Sequence, residues 1–355
     1  MSGGVDSSVT AALLKYGGFS AEDAPASGWD VCGVHIKMWS DPEIPCMFKE
    51  DRYDAMKVAA VLNIPFETWD LTDAYKQGVV EYMISEYASG RTPNPDVMCN
   101  RKIKFGIFLK RALAEGADFV ATGHYVTLKV KSEKLKTHEL ATARDLNKDQ
   151  SYFLWTLGQK QLKHCLFPIG KYTKPEVRVI ARKFGLPTAE KKDSQGICFI
   201  GEINVKEFLK KHIRSVSGSV VTTQGKMIGT HEGLSFYTMG QREGLGVGGG
   251  TPYYVAKKDF LTNTLVVGEG PYDKKLFSRT CGVVDTNWIS GKEPKFPLAC
   301  AARIRYRQPL QECRVFRDGS KITAKFKEDQ RAVTPGQSIV FYMKNTMIGG
   351  GIICE

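Results

Sequence analysis

The 355-residue sequence contains no run approaching the ~20 apolar residues that a membrane helix requires. Met1-Ser2-Gly3-Gly4 opens without a basic stretch or a long apolar one, so no secretory signal is read and the expected location is cytoplasmic. No Cys-x-x-Cys pair occurs, which argues against a zinc ribbon, and no metal ligand set is assigned. No Gly-x-x-x-x-Gly-Lys-Ser/Thr occurs, which excludes a P-loop. Repeats and low-complexity tracts are absent. The nine cysteines are odd in number and irregularly spaced, so a secreted disulfide framework is not expected. Acid is in deficit: 38 Asp and Glu stand against 50 Lys and Arg, a net charge of +12. That excess favours a polyanionic partner, nucleic acid first. At 42% hydrophobic and 25% charged, the composition is globular and excludes a disordered chain, a collagen or a rod.

The chain is long enough for two or three domains. Strand-like runs at 31–36, 65–69 and 118–122 alternate with helix-like stretches at 55–62 and 74–87. This rhythm predicts an α/β domain with a doubly wound parallel sheet over 1–200. Helical pattern dominates 150–184. After Gly201 the texture changes to short strand candidates broken by glycines, which predicts a small β-rich central domain over 201–275 and a C-terminal β-barrel-like domain over 276–355. The last segment holds 13 Lys and Arg against 7 Asp and Glu, a net of +6. Arg303, Arg305 and Arg307 alternate, so a strand there would put all three on one face, either solvated or tracking phosphates.

Two segments carry chemistry. Ser2-Gly3-Gly4-Val5-Asp6-Ser7-Ser8 precedes a helical pattern. Glycines let backbone amides turn inward as an anion nest, a helix N-terminus adds positive partial charge, and the serines can donate to phosphate. Asp6 beside an anion makes sense as a Mg²⁺ ligand or a helix cap. In 91–100, two prolines with Asn94 and Asp96 order a loop, and Asp96 stands three residues before Cys99, so both can share one turn. Arg91, Lys102 and Lys104 are nearby cations that favour a thiolate. Cys198 has a comparable setting in 193–201, after Lys191 and Lys192. The other seven cysteines lack one.

The loop at the start resembles the pyrophosphate loop of the N-type ATP pyrophosphatases. Further motifs narrow the resemblance: Gly90 through Asn100, Ala121-Thr122-Gly123-His124-Tyr125, 148–154, 196–201, Gly240-Gln241-Arg242, Arg305-Tyr306-Arg307 and Pro335-Gly336-Gln337. Together they span essentially the whole chain, which is similar to the tRNA-specific 2-thiouridylases.

That resemblance implies ATP-dependent 2-thiolation of the wobble uridine in tRNAs for Lys, Glu and Gln. ATP adenylates the C2 oxygen, and a persulfide on Cys198 supplies sulfur. Cys99 acts as the second catalytic thiol and ends in a disulfide with Cys198; Asp96 is the acid/base or base-orienting group. Ser2, Gly3, Gly4, Val5, Asp6 and Ser7 hold pyrophosphate, with Ile36 and Gly123 in the nucleotide pocket. Asn94, Pro95 and Asp96 face the target base. His124, Lys148, Asp149, Gln150, Arg305, Tyr306 and Gln337 contact tRNA. ATP with Mg²⁺ is expected, as is a sulfur donor, either a cysteine desulfurase or a relay protein, and no membrane partner. In the superfamily a short apolar strand precedes the loop, whereas this sequence begins within it. A chain lacking that strand is expected to bind ATP poorly, so a catalytically impaired tRNA-binding protein is one alternative reading. Another ATP pyrophosphatase, using ammonia or an amino acid, is the other.

Overall fold

A computed structural model describes residues 1–18, 28–41, 48–132, 137–192, 205–248 and 250–354. The N-terminal part is α/β. Strand Gly33–Lys37 pairs in parallel with Phe66–Asp70, and Val120–Ala121 pairs in parallel with Cys165–Leu166. The backbone of Met1 lies beside the first strand: its amino group donates to Val34 O, and its carbonyl accepts from His35 Nδ1 at 2.9 Å. Helix Val5–Lys15 buries Val9, Ala12 and Leu13 against Val58 and Leu62 of helix Phe48–Leu62.

Several expected elements differ in extent. The 118–122 strand shortens to two residues. The 74–87 helix is broken by a π-helical turn over Lys76–Val80. Residues 150–184 are less helical than their pattern, with short turns at Ser151–Leu154 and Gln159–Leu162 before helix Lys174–Lys183. The hairpin Val126–Ser132 and Thr137–Thr142 was not anticipated at all.

The central part is a four-stranded sheet. Met227–His231 pairs with Gly218–Thr222, which runs parallel to Thr264–Glu269, itself antiparallel to Tyr253–Asp259. In the C-terminal part, Phe277–Trp288 pairs with both Lys321–Arg331 and Thr346–Cys354. Strands Gln311–Asp318, Leu298–Arg303 and Ser338–Met343 complete the circuit between Lys321–Arg331 and Thr346–Cys354, so six strands close into a barrel. Strand Thr346–Cys354 also pairs with the N-terminal hairpin, Met347 opposite Leu140. The expected Arg303–Arg307 strand is a correction. Strand Leu298–Arg303 ends at Arg303, and Arg305-Tyr306-Arg307 lie in the turn before strand Gln311–Asp318. Arg307 has φ +62°, outside the extended region, so the alternation that would align three arginines is lost.

The N-terminal part and the barrel share one apolar core. Tyr152, Leu154, Trp155 and Leu157 pack with Val340, Tyr342 and Met347. Burying a side chain of that size contributes about 1.5–3 kcal/mol. Polar tips are satisfied across the same seam: Trp155 Nε1 donates to Ser338 Oγ at 2.9 Å, and Tyr152 Oη to Ser338 O at 2.9 Å.

A second seam feature involves Asp149. Its side chain is 1% exposed, and Arg303 Nη1 donates to Asp149 Oδ2 at 3.0 Å. Asp149 also accepts from Ala143 N, Ser151 N and Ser151 Oγ. A carboxylate so enclosed serves the fold. Removing one partner strands a buried charge, so Arg303→Met is expected to cost about 3–5 kcal/mol of unfolding free energy. Urea denaturation of variant and parent checks this, and equal midpoints would show that the pair does not hold the seam.

Candidate active site and RNA-facing surface

The first bond of helix Val5–Lys15 runs from Ser8 N to Gly4 O. The amides of Val5, Asp6 and Ser7 therefore have no intrahelical acceptor and lie at the positive end of the helix. Ser2 N donates to Ser7 Oγ at 3.1 Å, and the two hydroxyls lie 3.2 Å apart. Gly3 has φ +77°, and a Cβ there would sit 2.3 Å from Asp51 O. A Cβ at Gly123 would sit 2.8 Å from Asp6 C and Ser7 N. A side chain at Gly3 would run into the Asp51 backbone and one at Gly123 into the loop backbone itself, so neither fits without moving the loop, whose free amides and hydroxyls suit a polyphosphate. Gly4 is different: at φ −96° its backbone is open to any residue. Ile36 sits in strand Gly33–Lys37, half-buried, opposite Trp69.

Asp6 neither caps the helix nor stands as an open metal ligand. The helix has no side-chain cap. Both Asp6 oxygens accept from Lys174 Nζ, at 2.8 and 2.9 Å, and Tyr125 Oη donates to Oδ1 at 2.8 Å. Lys174 is buried in the first turn of its own helix, where the dipole disfavours a cation; Asp6 offsets that cost. Among the described residues, no cluster of three or more His, Cys, Asp or Glu is arranged to hold a metal ion.

Asp96 and Cys99 do share a turn. Asn94 Oδ1 accepts from Val97 N at 3.2 Å and starts the short helix Pro95–Met98. The Cys99 amide then donates to the carbonyls of Pro95 and Asp96. Cys99 is 3% exposed, and its side chain packs among Tyr75, Met98 and Ile103. Burial raises the Asp96 carboxyl above its ordinary range, and Lys104 opposes that rise. The expected partner Cys198 lies outside the described residues. Among the described cysteines, none is in a disulfide.

The stretch before Asn94 is held from both following domains. Thr92 N donates to Pro335 O at 2.9 Å. Gln337 Nε2 donates to the carbonyls of Thr92 and Pro93, at 2.9 and 3.0 Å. Thr92 Oγ1 lies 3.3 Å from Thr238 Oγ1 of the central part. Gly336 is required by contact: a Cβ would lie 2.9 Å from Thr92 N and O. In this structure the Gln337 amide N–H groups are thus spent on the loop.

The other expected RNA contacts divide. His124 is 7% exposed, with Nδ1 2.8 Å from Thr122 Oγ1. Burial first, and then the Lys104 ammonium, push its pKa well below the ordinary histidine value, so it is neutral at pH 7. Gln150 Oε1 accepts from Tyr125 N at 3.0 Å, and Lys148 lies in the adjoining turn. Arg305 is exposed, and its guanidinium donates to Arg331 O and, at 3.4 Å, to Ala332 O. The Tyr306 ring lies 4.6 Å from that of Phe153, and the Arg307 guanidinium 5.1 Å from it.

Sequence reading missed Lys174, Tyr125 and Thr92. Thr173-Lys174-Pro175-Glu176 carries a legible helix start, in which Glu176 accepts from Thr173 N. Nothing local reveals that its lysine reaches Asp6.

Two outcomes follow from this geometry. Gly123→Ala is expected to abolish ATP turnover, because its methyl group enters the phosphate loop; pyrophosphate release measures this, and parental turnover would show that the loop yields. A carboxyl raised by folding binds protons that the unfolded chain releases, so stability falls as pH rises above about 4 through its folded value. Asp96→Asn removes that loss and is expected to melt above the parent at pH 7, with no advantage below about pH 4. Melting curves at both pH values test it; equal midpoints at pH 7 would rule the effect out.

Three family models tile the chain. A tRNA methyl transferase HUP domain matches residues 1–202, a tRNA methyl transferase PRC-barrel domain 206–269, and an aminomethyltransferase β-barrel domain 278–353. Relatives match nearly end to end. The tRNA-specific 2-thiouridylase MnmA of Thiobacillus denitrificans is 46% identical, covering 100% of this chain and 98% of its own length. The protein of the same name from Streptococcus sanguinis is 45% identical, covering 99% and 93%. That from Halalkalibacterium halodurans is 45% identical over the same shares. The model names speak of methyl transfer and the relatives' names of thiolation; a phosphate cradle beside a cysteine-bearing turn suits the latter. On full-length similarity at this level, the chain belongs to the tRNA-specific 2-thiouridylase family.

Proposed function

We propose that this chain replaces the C2 oxygen of the wobble uridine in tRNAs for Lys, Glu and Gln with sulfur, at the expense of ATP. The observation that supports it best is a shared wall. Gly123 abuts Asp6 and Ser7 of the phosphate loop, and the ring of the next residue, His124, lies 5.8 Å from that of Phe105, in the stretch Cys99–Phe108 that continues the Asp96 turn. Residues 123 and 124 therefore link the nucleotide cradle to the helical stretch that begins at Cys99.

In this reading the parts taken as 1–200, 201–275 and 276–355 divide the work. ATP supplies the adenylyl group that turns the C2 oxygen into a leaving group. The amides of residues 5–7, with Ser2 and Ser7, bind pyrophosphate; Gly3, Gly4 and Gly123 give it room; the Ile36 backbone borders the nucleotide. Lys174 keeps Asp6 neutralised beside the anion. Mg²⁺ accompanies the triphosphate. Asn94, Pro95 and Asp96 orient the base, which leaves its stack to reach them. A persulfide on Cys198, charged by a cysteine desulfurase or relay protein, attacks C2, and AMP departs. The Cys99 thiolate then attacks the persulfide bond, freeing sulfur onto the base and closing a Cys99–Cys198 disulfide. Neutral His124, Lys148 and Gln150 border the RNA, and Arg305 and Tyr306 grip it from the barrel turn.

The test is a thiolation assay with ATP, Mg²⁺, a desulfurase-fed donor and unmodified tRNA for Glu, read as 2-thiouridine by mass spectrometry. Cys99→Ser and Cys198→Ser are each expected to abolish product while tRNA affinity stays near parental. Thiolation by Cys198→Ser would overturn the persulfide assignment. Pyrophosphate release without 2-thiouridine would favour another pyrophosphatase activity; bound tRNA with neither would favour an impaired binding protein. Arg305→Ala is expected to weaken tRNA binding and reduce the slope of log affinity against log salt by about 1; an unchanged slope would remove Arg305 from the phosphate contacts.

A further inference from the structure

Two cysteines outside the proposed site face one another across the barrel wall. Cys300 of strand Leu298–Arg303 is directly opposite Cys313 of strand Gln311–Asp318. Their sulfurs lie 3.6 Å apart. Side chains at opposed antiparallel positions already share a face, and a disulfide needs about 2.05 Å between sulfurs, so closure asks for side-chain rotation and little backbone movement. Cys300 is partly exposed, whereas Cys313 is buried against the barrel core. The two strands are the arms of one hairpin, and its tip, residues 304–310, carries Arg305, Tyr306 and Arg307.

We propose that Cys300 and Cys313 form a thiol–disulfide exchange site that a low-molecular-weight disulfide oxidises to an intrachain cystine, stapling the arms of this hairpin. Hydrogen bonding to Cys300, with burial, raises the Cys313 thiol far above the ordinary range, so Cys313 keeps its proton while Cys300 reacts. The Cys300 thiolate attacks one sulfur of the small disulfide; that S–S bond breaks and one small thiolate leaves. With Cys300 in the mixed disulfide, the thiol–thiol hydrogen bond that raised Cys313 is gone; Cys313 then loses its proton to solvent and attacks Cys300 Sγ. The protein cystine forms and the second small thiolate departs. Two protein thiols have lost two electrons, and the small disulfide has gained them as two thiols. Neither nucleotide nor RNA takes part, so the exchange is independent of the thiolation reading. Its consequence is a covalent ring from residue 300 to residue 313 beneath the exposed arginines.

The probe is oxidised glutathione, added at pH 8 to the fully reduced, full-length chain, followed by tryptic digestion without reductant. Trypsin cuts after Lys295, Arg303, Arg307 and Arg314. The expected product is peptide 296–303 joined to peptide 308–314. Cys313→Ser is expected to trap glutathione on Cys300, and Cys300→Ser to leave Cys313 unmodified. Cys313→Ala serves in place of the serine variant if that one fails to fold. Oxidation is also expected to raise the melting midpoint of the parent by several degrees and that of neither variant. If exposed Cys32 takes up glutathione while Cys300 and Cys313 both stay reduced, the proposal is overturned.

Discussion

Arg303 and Asp149 meet where water does not reach, and neither can be left there alone. A buried guanidinium without its carboxylate, or the reverse, costs several kcal/mol, so the pair forms only when the barrel seats correctly on the N-terminal part. Around it, Tyr152, Trp155 and Tyr342 supply apolar area while their polar tips find Ser338 and Ser151. Apolar burial drives the association; the charged pair selects its register. One body results, and with it the 335–337 turn is brought to the loop that carries Asp96 and Cys99.

That loop is otherwise poorly secured by its own local structure. The helix Pro95–Met98 has only four residues and leads directly into a π-helical stretch, Cys99–Phe108. Such short turns have little stability of their own. The bonds from Gln337 and Pro335, with the Thr238 contact, fix the stretch that feeds the turn. Arg91 adds a two-pronged pairing with Glu86. Precision at Asp96 is therefore imposed by the two domains that follow it in sequence. On the opposite side, Lys174 and Tyr125 hold Asp6, so the phosphate loop is also fixed by residues far along the chain.

Much of this was legible beforehand, and the limits have physical reasons. The phosphate loop is local: a glycine at positive φ, serines and a helix start lie within seven residues. The turn joining Asp96 to Cys99 follows from spacing alone. The barrel was legible from short strands broken by glycines, and the fold of each part matches its expected class. The role of Asp149 was not, because a carboxylate beside Lys148 and Gln150 looks like any turn residue until Arg303 arrives from 154 positions away. The three arginines misled for a related reason: alternation marks a face only if the backbone stays extended, and here the strand ends at Arg303. Gln337 was expected only as a tRNA contact, and nothing local shows that its amide is turned toward Thr92.

The hairpin 126–142 pairs its second strand, Thr137–Thr142, with the last strand of the barrel, joining residues about 200 positions apart. A chain made from its N-terminus at 5–20 residues per second exposes that edge for roughly 10–40 s before its partner is synthesised. During that interval Thr137–Thr142 offers unpaired backbone groups to any passing strand. Folding of the catalytic part is thus tied to the end of translation. A ribosome that stalls within the barrel would release a chain whose active-site domain has all its own residues yet still displays an open sheet edge and an unfilled apolar seam, the kind of surface that chaperones retain and proteases clear.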